Sequence, residues 1–286
     1  MLRDAQAQAL PLWQVVQRAD MDERQADASD SLARMAQLYH AMQDAQANYR
    51  AQDRSASGLV GGDGARMAAW VEAGDGLCGP YFGQVLAQAL QMGEANACMR
   101  RIVAAPTAGA CGVLPAVLLP YARLHGTPEE EVLHALYVAA GVGQVIASRA
   151  CISGAQGGCQ AEIGSAAGMA AAALVALRGG DATACVHACA LAIKSLLGLV
   201  CDPVAGLVEI PCVKRNATGA ACALACAEMA LCGIRSAIPP DEVIDAMREV
   251  GEKMHASLRE TGEGGLANTP TGRAVAAQAA EGLTGA

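Results

Sequence analysis

Between Glu162 and Arg178 the chain carries no charge at all: the run reads IGSAAGMAAAALVAL. Fifteen uncharged residues, mostly Ala and Gly, cannot face water on any side as a helix. They predict a helix from Ala161 to Leu177 buried on every face, ending at Gly179 and Gly180. Small side chains let neighbouring helices approach closely. The same character returns from Asn216 to Gly233. The chain has 64 Ala and 32 Gly against a single Phe, and aromatic residues make up only 3%. Ala is the strongest helix former, and alternating β-branched runs are hardly found. The fold class expected is therefore all-α: a single helical domain with buried Ala/Gly-rich central helices and Gly-rich loops at the site.

The remaining organisation follows from punctuation. Residues 4–51 predict one or two amphipathic helices on the outside of the domain, with Leu32, Met35, Leu38 and Met42 at helical spacing. Gly-rich loops are expected over 52–64, Gly74–Gly79 and 151–158, and a Gly/Pro turn from Pro106 to Pro115. Helices are expected over Gly83–Met99, from Thr127 to about Ala150 with Thr127 as cap, from Ala182 to about Leu196 with Asp181 as cap, over Glu242–Leu258, and over Gly272–Ala280. Gly198–Pro211 should be irregular. No internal repeat and no low-complexity linker is found. The domain assignment is one unit over 1–286, with 1–53 peripheral and 54–273 as the core.

Several function classes are excluded. Hydrophobic residues reach 53% and charged residues 17%, which is not the composition of a disordered chain. A formal charge of −8 leaves no basic face for nucleic acid. The uncharged stretch Ile102–Ala122 is long enough for a membrane span but is broken by Pro106, Pro115 and Pro120, so no membrane span is expected. The N-terminus lacks an apolar signal core, which points to a cytoplasmic protein whose twelve Cys are thiols, ligands or packing residues rather than disulfides. There is no GxSxG, P-loop or HExxH motif. Of the three Lys (194, 214, 253), none follows a Gly-rich phosphate cradle, so a PLP Schiff base is not expected.

The cysteines divide. Cys185, Cys189, Cys222, Cys226 and Cys232 lie on helices and read as small packing residues, as do Cys78, Cys98 and Cys151; Cys111, in a Gly/Pro turn, fits that reading less well. Cys159, Cys201 and Cys212 each sit beside Gly or Pro at a loop–helix edge, in GGCQAE, LVCDPVAG and EIPCVKRN. No CxxC spacing exists, which argues against a zinc knuckle. Three thiolates from separated loops suit an iron–sulfur cluster with one iron left open, or they too are packing residues.

Five segments carry a resemblance. RSASGLVGGD, RIVAAPTAGACGVLPAVLLPYA, SGAQGGCQAEIGSAAGMAAAALV, LGLVCDPVAGLVEIPCVKRNA and LRETGEGGLANTPTGR closely resemble, in order and over about residues 54–273, the iron–sulfur-dependent L-serine dehydratases (L-serine ammonia-lyases). The length resembles the separate α subunit of two-subunit members, whose β subunit carries a regulatory-type domain. The resemblance implies a helical fold, conversion of L-serine to pyruvate and ammonia, and a [4Fe-4S] cluster acting as Lewis acid without PLP. It implies Cys159, Cys201 and Cys212 as cluster ligands. It implies Thr107, Gly109, Ser153, Gly154, Arg215 and Asn216 around the substrate, and a β subunit or homo-oligomer as partner. For the base that removes the Cα proton, Lys194, Lys214 and His187 are candidates, or a residue of a partner chain. The sequence departs from the family in ending EGLTGA without a terminal Cys, in Gln156 where Glu is usual, and in Ser195 where Asn is usual. Alternatives of other kinds are an L-cysteine desulfidase on the same fold, a non-catalytic iron–sulfur protein, and a helical bundle that binds a partner.

Overall fold

The computed structural model describes residues 1–284, so the last two residues of the EGLTGA ending lie outside the described residues. Thirteen helices follow one another among the described residues: α1 (Leu2–Gln8), α2 (Leu12–Arg24), α3 (Ala28–Ala47), α4 (Asp63–Glu72), α5 (Gly79–Ala97), α6 (Val113–His125), α7 (Glu129–Arg149), α8 (Gly154–Gly157), α9 (Ser165–Leu177), α10 (Ala182–Ser195), α11 (Cys212–Leu231), α12 (Pro240–Lys253) and α13 (Pro270–Thr284). No strand occurs among them; a single parallel bridge joins Cys201 and Arg259. The all-α expectation holds.

The uncharged run is the centre of the molecule. Every residue of α9 from Ser165 to Val175 is buried. It is enclosed by α6, α7, α10 and α11. Small residues make this possible: a Cβ added at Gly168 would stand 2.9 Å from Cys189 Sγ on α10. By length and hydropathy α7 and the segment Gln160–Leu177 could cross a membrane, but 61% and 83% of those windows are buried inside this fold. They are core helices here.

α1 to α3 are outer helices that nevertheless reach the core. Ala5, Leu12, Tyr39, Met42 and Ala45 join the same buried cluster as α9. Trp13 on α2 stacks on His134 of α7, with centroids 3.6 Å apart. Burying side chains of this kind stabilises by roughly 1.5–3 kcal/mol each.

Some expectations need correction. Thr127 does not cap α7. Pro128, extended at φ −56° and ψ 143°, is the cap residue, and no side chain bonds the first turn; Glu129, Glu130 and Glu131 supply the charge that favours a helix start. The loop expected over 151–158 contains one helical turn, α8. α11 begins at Cys212, four residues before the Asn216 expected. Cys78 and Cys232, read as packing residues, are exposed, and Cys98, Cys151 and Cys222 are half-buried; Cys111, Cys185, Cys189 and Cys226 are buried as read. Asp181 does cap α10, accepting from Ala184 N at 2.6 Å.

α4 carries an internal anchor the sequence pattern did not suggest. Glu94 on α5, 2% exposed, accepts from Asp63 N and Gly64 N at the start of α4 and from Tyr49 Oη at 2.6 Å. A carboxylate at a helix N-terminus is favoured by the unsatisfied N–H groups there.

Candidate active site

The three singled-out cysteines come from three different local structures. After α8, Gly158 turns the chain at φ +75°, and Cys159 leads into a wide π turn, Gln160–Gly164, that opens α9. Such turns re-aim side chains relative to a regular helix. Gln160 pins the turn: its Nε2 donates to Met247 O at 2.9 Å, and its Oε1 accepts from Gly198 N at 2.9 Å. Cys201 lies in an extended segment held on both backbone sides, donating to Leu258 O at 2.8 Å and accepting from Glu260 N at 2.7 Å. Cys212 is the first residue of α11.

The three thiols are 2%, 2% and 8% exposed. Cys159 and Cys201 hydrogen-bond each other, and Arg215, one turn along α11 from Cys212, also reaches Cys159. The Cys201 bond, and after it the Arg215 guanidinium, holds Cys159 below the usual thiol range against the cost of burial. Cys201, donating to that thiolate and buried, sits above the range. Burial pushes Cys212 up to about 12. Arg215 is itself fixed by Val200 O at 2.7 Å and by Asp202 Oδ1 at 2.8 Å. Asp202, 3% exposed, also takes Leu266 N at 2.8 Å, so the pair joins the tail to the Cys201 loop. Among the described residues, no three His, Cys, Asp or Glu side chains stand at the spacing of a single metal ion.

A polar pair lies against the thiols. Thr107 Oγ1 donates to Glu162 Oε1 at 2.7 Å, and Glu162 Oε2 is 4.0 Å from Cys201 Sγ. Burial raises the Glu162 carboxyl above the usual range; the Thr107 bond opposes this. Gly154 packs closely against this group, where no side chain would fit. A Cβ there would stand 2.7 Å from Glu162 Oε2, 2.9 Å from Cys201 Sγ and 3.1 Å from Glu260 Oε2. Gly109 faces the other carboxyl oxygen, with a hypothetical Cβ 3.3 Å from Glu162 Oε1.

Thr107, Gly109, Gly154 and Arg215 are thus gathered with the cysteines. Ser153 precedes them as the residue before α8, and its C=O accepts from Gly157 N at 2.9 Å. Asn216 has a different position from the one expected. It is 1% exposed, and its amide is spent on backbone: Oδ1 accepts from Gly112 N at 2.8 Å, and Nδ2 donates to Gly109 O at 2.8 Å and Cys212 O at 3.0 Å. It ties the 106–112 loop to α11 rather than presenting a free donor.

The three base candidates each have a partner of their own. Lys214 pairs with Asp63 at 2.8 Å and is exposed. His187 Nδ1 accepts from Ser236 N, and Lys194 Nζ donates to Ser236 Oγ at 3.4 Å. None of these partners is one of the three thiols. The carboxylates that do face the thiols, Glu162 and Glu260, are not singled out by the sequence, nor is Asp202, which reaches them only through Arg215. Glu162 had a signal: it is the single charge at the head of an otherwise uncharged helix. Of the three departures, two lie within the chain: Gln156 is exposed and offers its C=O to Arg259, and Ser195 Oγ donates back to Leu191 O at 2.7 Å.

Comparison with known proteins places this geometry in a family. The profile of the serine dehydratase alpha chain matches residues 7–267, thereby including α2 and α3. The chain is 52% identical over 219 residues to the probable L-serine dehydratase, alpha chain, of Bacillus subtilis (strain 168), covering 77% of this chain and 73% of the relative. It is 44% identical over 217 residues to the L-serine dehydratase, alpha chain, of Peptoniphilus asaccharolyticus, covering 76% and 74%. It is 45% identical over 183 residues to the L-serine dehydratase TdcG of Escherichia coli (strain K12), of which it spans 40%. With a profile match over most of its length and relatives of this similarity, the chain belongs to the serine dehydratase alpha chain family.

Proposed function

We propose that this chain is the catalytic α subunit of an L-serine ammonia-lyase that forms pyruvate and ammonia, and that Cys159, Cys201 and Cys212 hold a [4Fe-4S] cluster. The observation that carries this reading is the meeting of three buried thiols, from a π turn, an extended segment and a helix start, beside Arg215 and the Thr107–Glu162 pair. The donor set fits such a group. The thiols are withdrawn from water, Arg215 stands against Cys159, and the absence of a side chain at Gly154 lets its backbone lie close beside Cys201. Their spacing does not suit a single ion; in a cluster each cysteine ligates its own iron.

Bound there, a cluster with one iron free of protein thiolate supplies a Lewis acid for loss of the β-hydroxyl. The chain's own residues do the rest. Arg215, fixed by Val200 and Asp202, holds the Cys159 loop against α11. Thr107 orients the Glu162 carboxyl, leaving Oε2 against Gly154 and next to Cys201. That oxygen is the acid–base group placed to take up a substrate proton, in place of Lys194, Lys214 or His187. Enamine release, tautomerisation and hydrolysis of the imine then need no further side chain. Residues 54–273 carry the activity, and the outer helices before them buttress α5 and α7. The alpha chain naming of the relatives supports a separate β subunit as partner, with or without a homo-oligomer, and a thiol-held cluster suits the reducing cytoplasm.

The test is pyruvate formation by anaerobically reconstituted protein, with and without a separately encoded β chain, from L-serine, L-threonine and L-cysteine in parallel. L-serine is expected to give the highest kcat/KM, and Ser at any one of the three cysteines to abolish it. A higher kcat/KM for L-cysteine would replace this reading with a desulfidase. Reversible redox chemistry without turnover would replace it with an electron carrier.

A further inference from the structure

Beside α8 lies a cavity of about 440 Å³ that the reaction above does not use. Its walls include Gln156, Arg248, Glu252, Ala256, Arg259 and Thr261. Arg248 Nη1 is paired with Glu252 Oε1 at 3.0 Å. Arg259 is not paired with any carboxylate among the described residues. Its Nη1 reaches the Gln156 carbonyl at 3.4 Å, the long limit of a hydrogen bond, and its buried Nε has no partner. A guanidinium edge withdrawn from water without an acceptor is costly, and native structures rarely leave one so. The backbone of Arg259 is anchored by its bridge to Cys201, so the side chain is presented to the cavity from a fixed base.

We infer that this cavity binds the α-carboxylate of a small organic acid, with Arg259 as the anchoring residue. A carboxylate offers two coplanar oxygens, matching the Nε–Nη edge of a guanidinium. The lining holds two guanidiniums and one carboxylate, an excess of one positive charge in a chain of net −8. That balance suits a monoanion, and Glu252 disfavours a phosphate dianion. Two sources share this chemistry: an α-keto acid, and an α-amino acid whose ammonium group would turn to Glu252. None of its lining residues is a group assigned to the reaction proposed above, and its existence does not depend on that reaction.

The experiment is calorimetric titration of the reconstituted full chain with pyruvate and, separately, with glycine, which has no β-carbon and so cannot be eliminated. Wild type, Arg259→Gln, Ala256→Phe and Cys201→Ser are compared, with circular dichroism to establish folding. Ala256 is an exposed wall residue, so Phe there fills the cavity without entering the core. One pyruvate per chain is expected, weakened tenfold or more by Arg259→Gln and by Ala256→Phe and retained in Cys201→Ser. Glycine bound with the same variant pattern supports the inference and assigns Glu252 to the ammonium. Pyruvate alone supports it with a keto acid as ligand. Absence of binding by both probes, or binding that Arg259→Gln and Ala256→Phe leave unchanged, overturns it. A chain that proves inactive on L-serine leaves this test intact.

Discussion

Asn216→Ala separates a residue that holds the site together from one that touches substrate. Asn216 is 1% exposed, and its side chain satisfies Gly112 N–H and Gly109 C=O, both at 2.8 Å. Removing the amide leaves those two backbone groups in a small dry gap. A buried polar group without its partner costs about 1–3 kcal/mol, so the pair amounts to roughly 2–6 kcal/mol. The third bond, to Cys212 O, is omitted because a helix carbonyl keeps its own i+4 amide as partner. For a chain of this size about 2–4 °C of Tm accompanies each kcal/mol, which gives a fall of roughly 5–20 °C. Thermal unfolding followed by far-ultraviolet circular dichroism measures it. Asn216→Asp keeps the acceptor for Gly112 N but turns an acceptor toward Gly109 O and Cys212 O, so it should not restore the wild-type Tm. Pyruvate formation should drop with Tm, because the 106–112 loop carries Thr107 onto Glu162. A Tm for Asn216→Ala within about 2 °C of wild type, well inside the shift worked out above, would refute the accounting.

Other expectations follow from the same geometry. Gly154→Ala places a Cβ 2.7 Å from Glu162 Oε2 and 2.9 Å from Cys201 Sγ, so turnover should fall by at least about tenfold while the far-ultraviolet spectrum stays unchanged; full activity would show that nothing reacts over this residue. Glu162→Gln keeps the shape and the Thr107 contact but removes the acid–base group; kcat should fall by about a hundredfold or more with little change in cluster absorbance, and near-normal kcat would return the proton step to another residue. Burial against Trp13 holds His134 below its ordinary 6.5, with Glu130 and Glu131 opposing. A lowered histidine pKa contributes stability above the unfolded value that is lost as pH falls through the folded one. Tm should therefore drop as pH is lowered below about 6.5, and His134→Phe, which keeps the ring stack, should flatten that drop; an equal slope in both proteins would count against the assignment.

What could be read from the sequence was governed by local physics. The uncharged run before Arg178 had to be an enclosed helix, and α9 is one; Asp181 had to cap, and it does. The three loop-edge cysteines stood out because Gly and Pro interrupt the helical pattern around them, and the fold gathers those same three. The proposed acid–base group was not legible by the same means. Lys194, Lys214 and His187 were chosen by residue type, but type says nothing of which neighbour a side chain meets, and each has a partner elsewhere. Glu162 reads as the polar end of an apolar helix until the π turn swings it toward Cys201. Arg215 and Asp202 are thirteen residues apart, and their pairing depends on how the Cys201 loop returns to α11. Asn216 looked like a free donor because sequence cannot show that a loop about a hundred residues earlier uses its whole amide.

The central claim is that Cys159, Cys201 and Cys212 hold a cluster on which L-serine deamination depends. Its most direct measurement is iron and acid-labile sulfide per chain after anaerobic reconstitution, in wild type and in the three single Cys→Ser variants, with Cys185→Ser as control. The account expects about four irons and four sulfides in wild type and in the control, and loss of both in each of the three variants. Iron near zero in wild type, or an undiminished cluster in any one of the three, would contradict it.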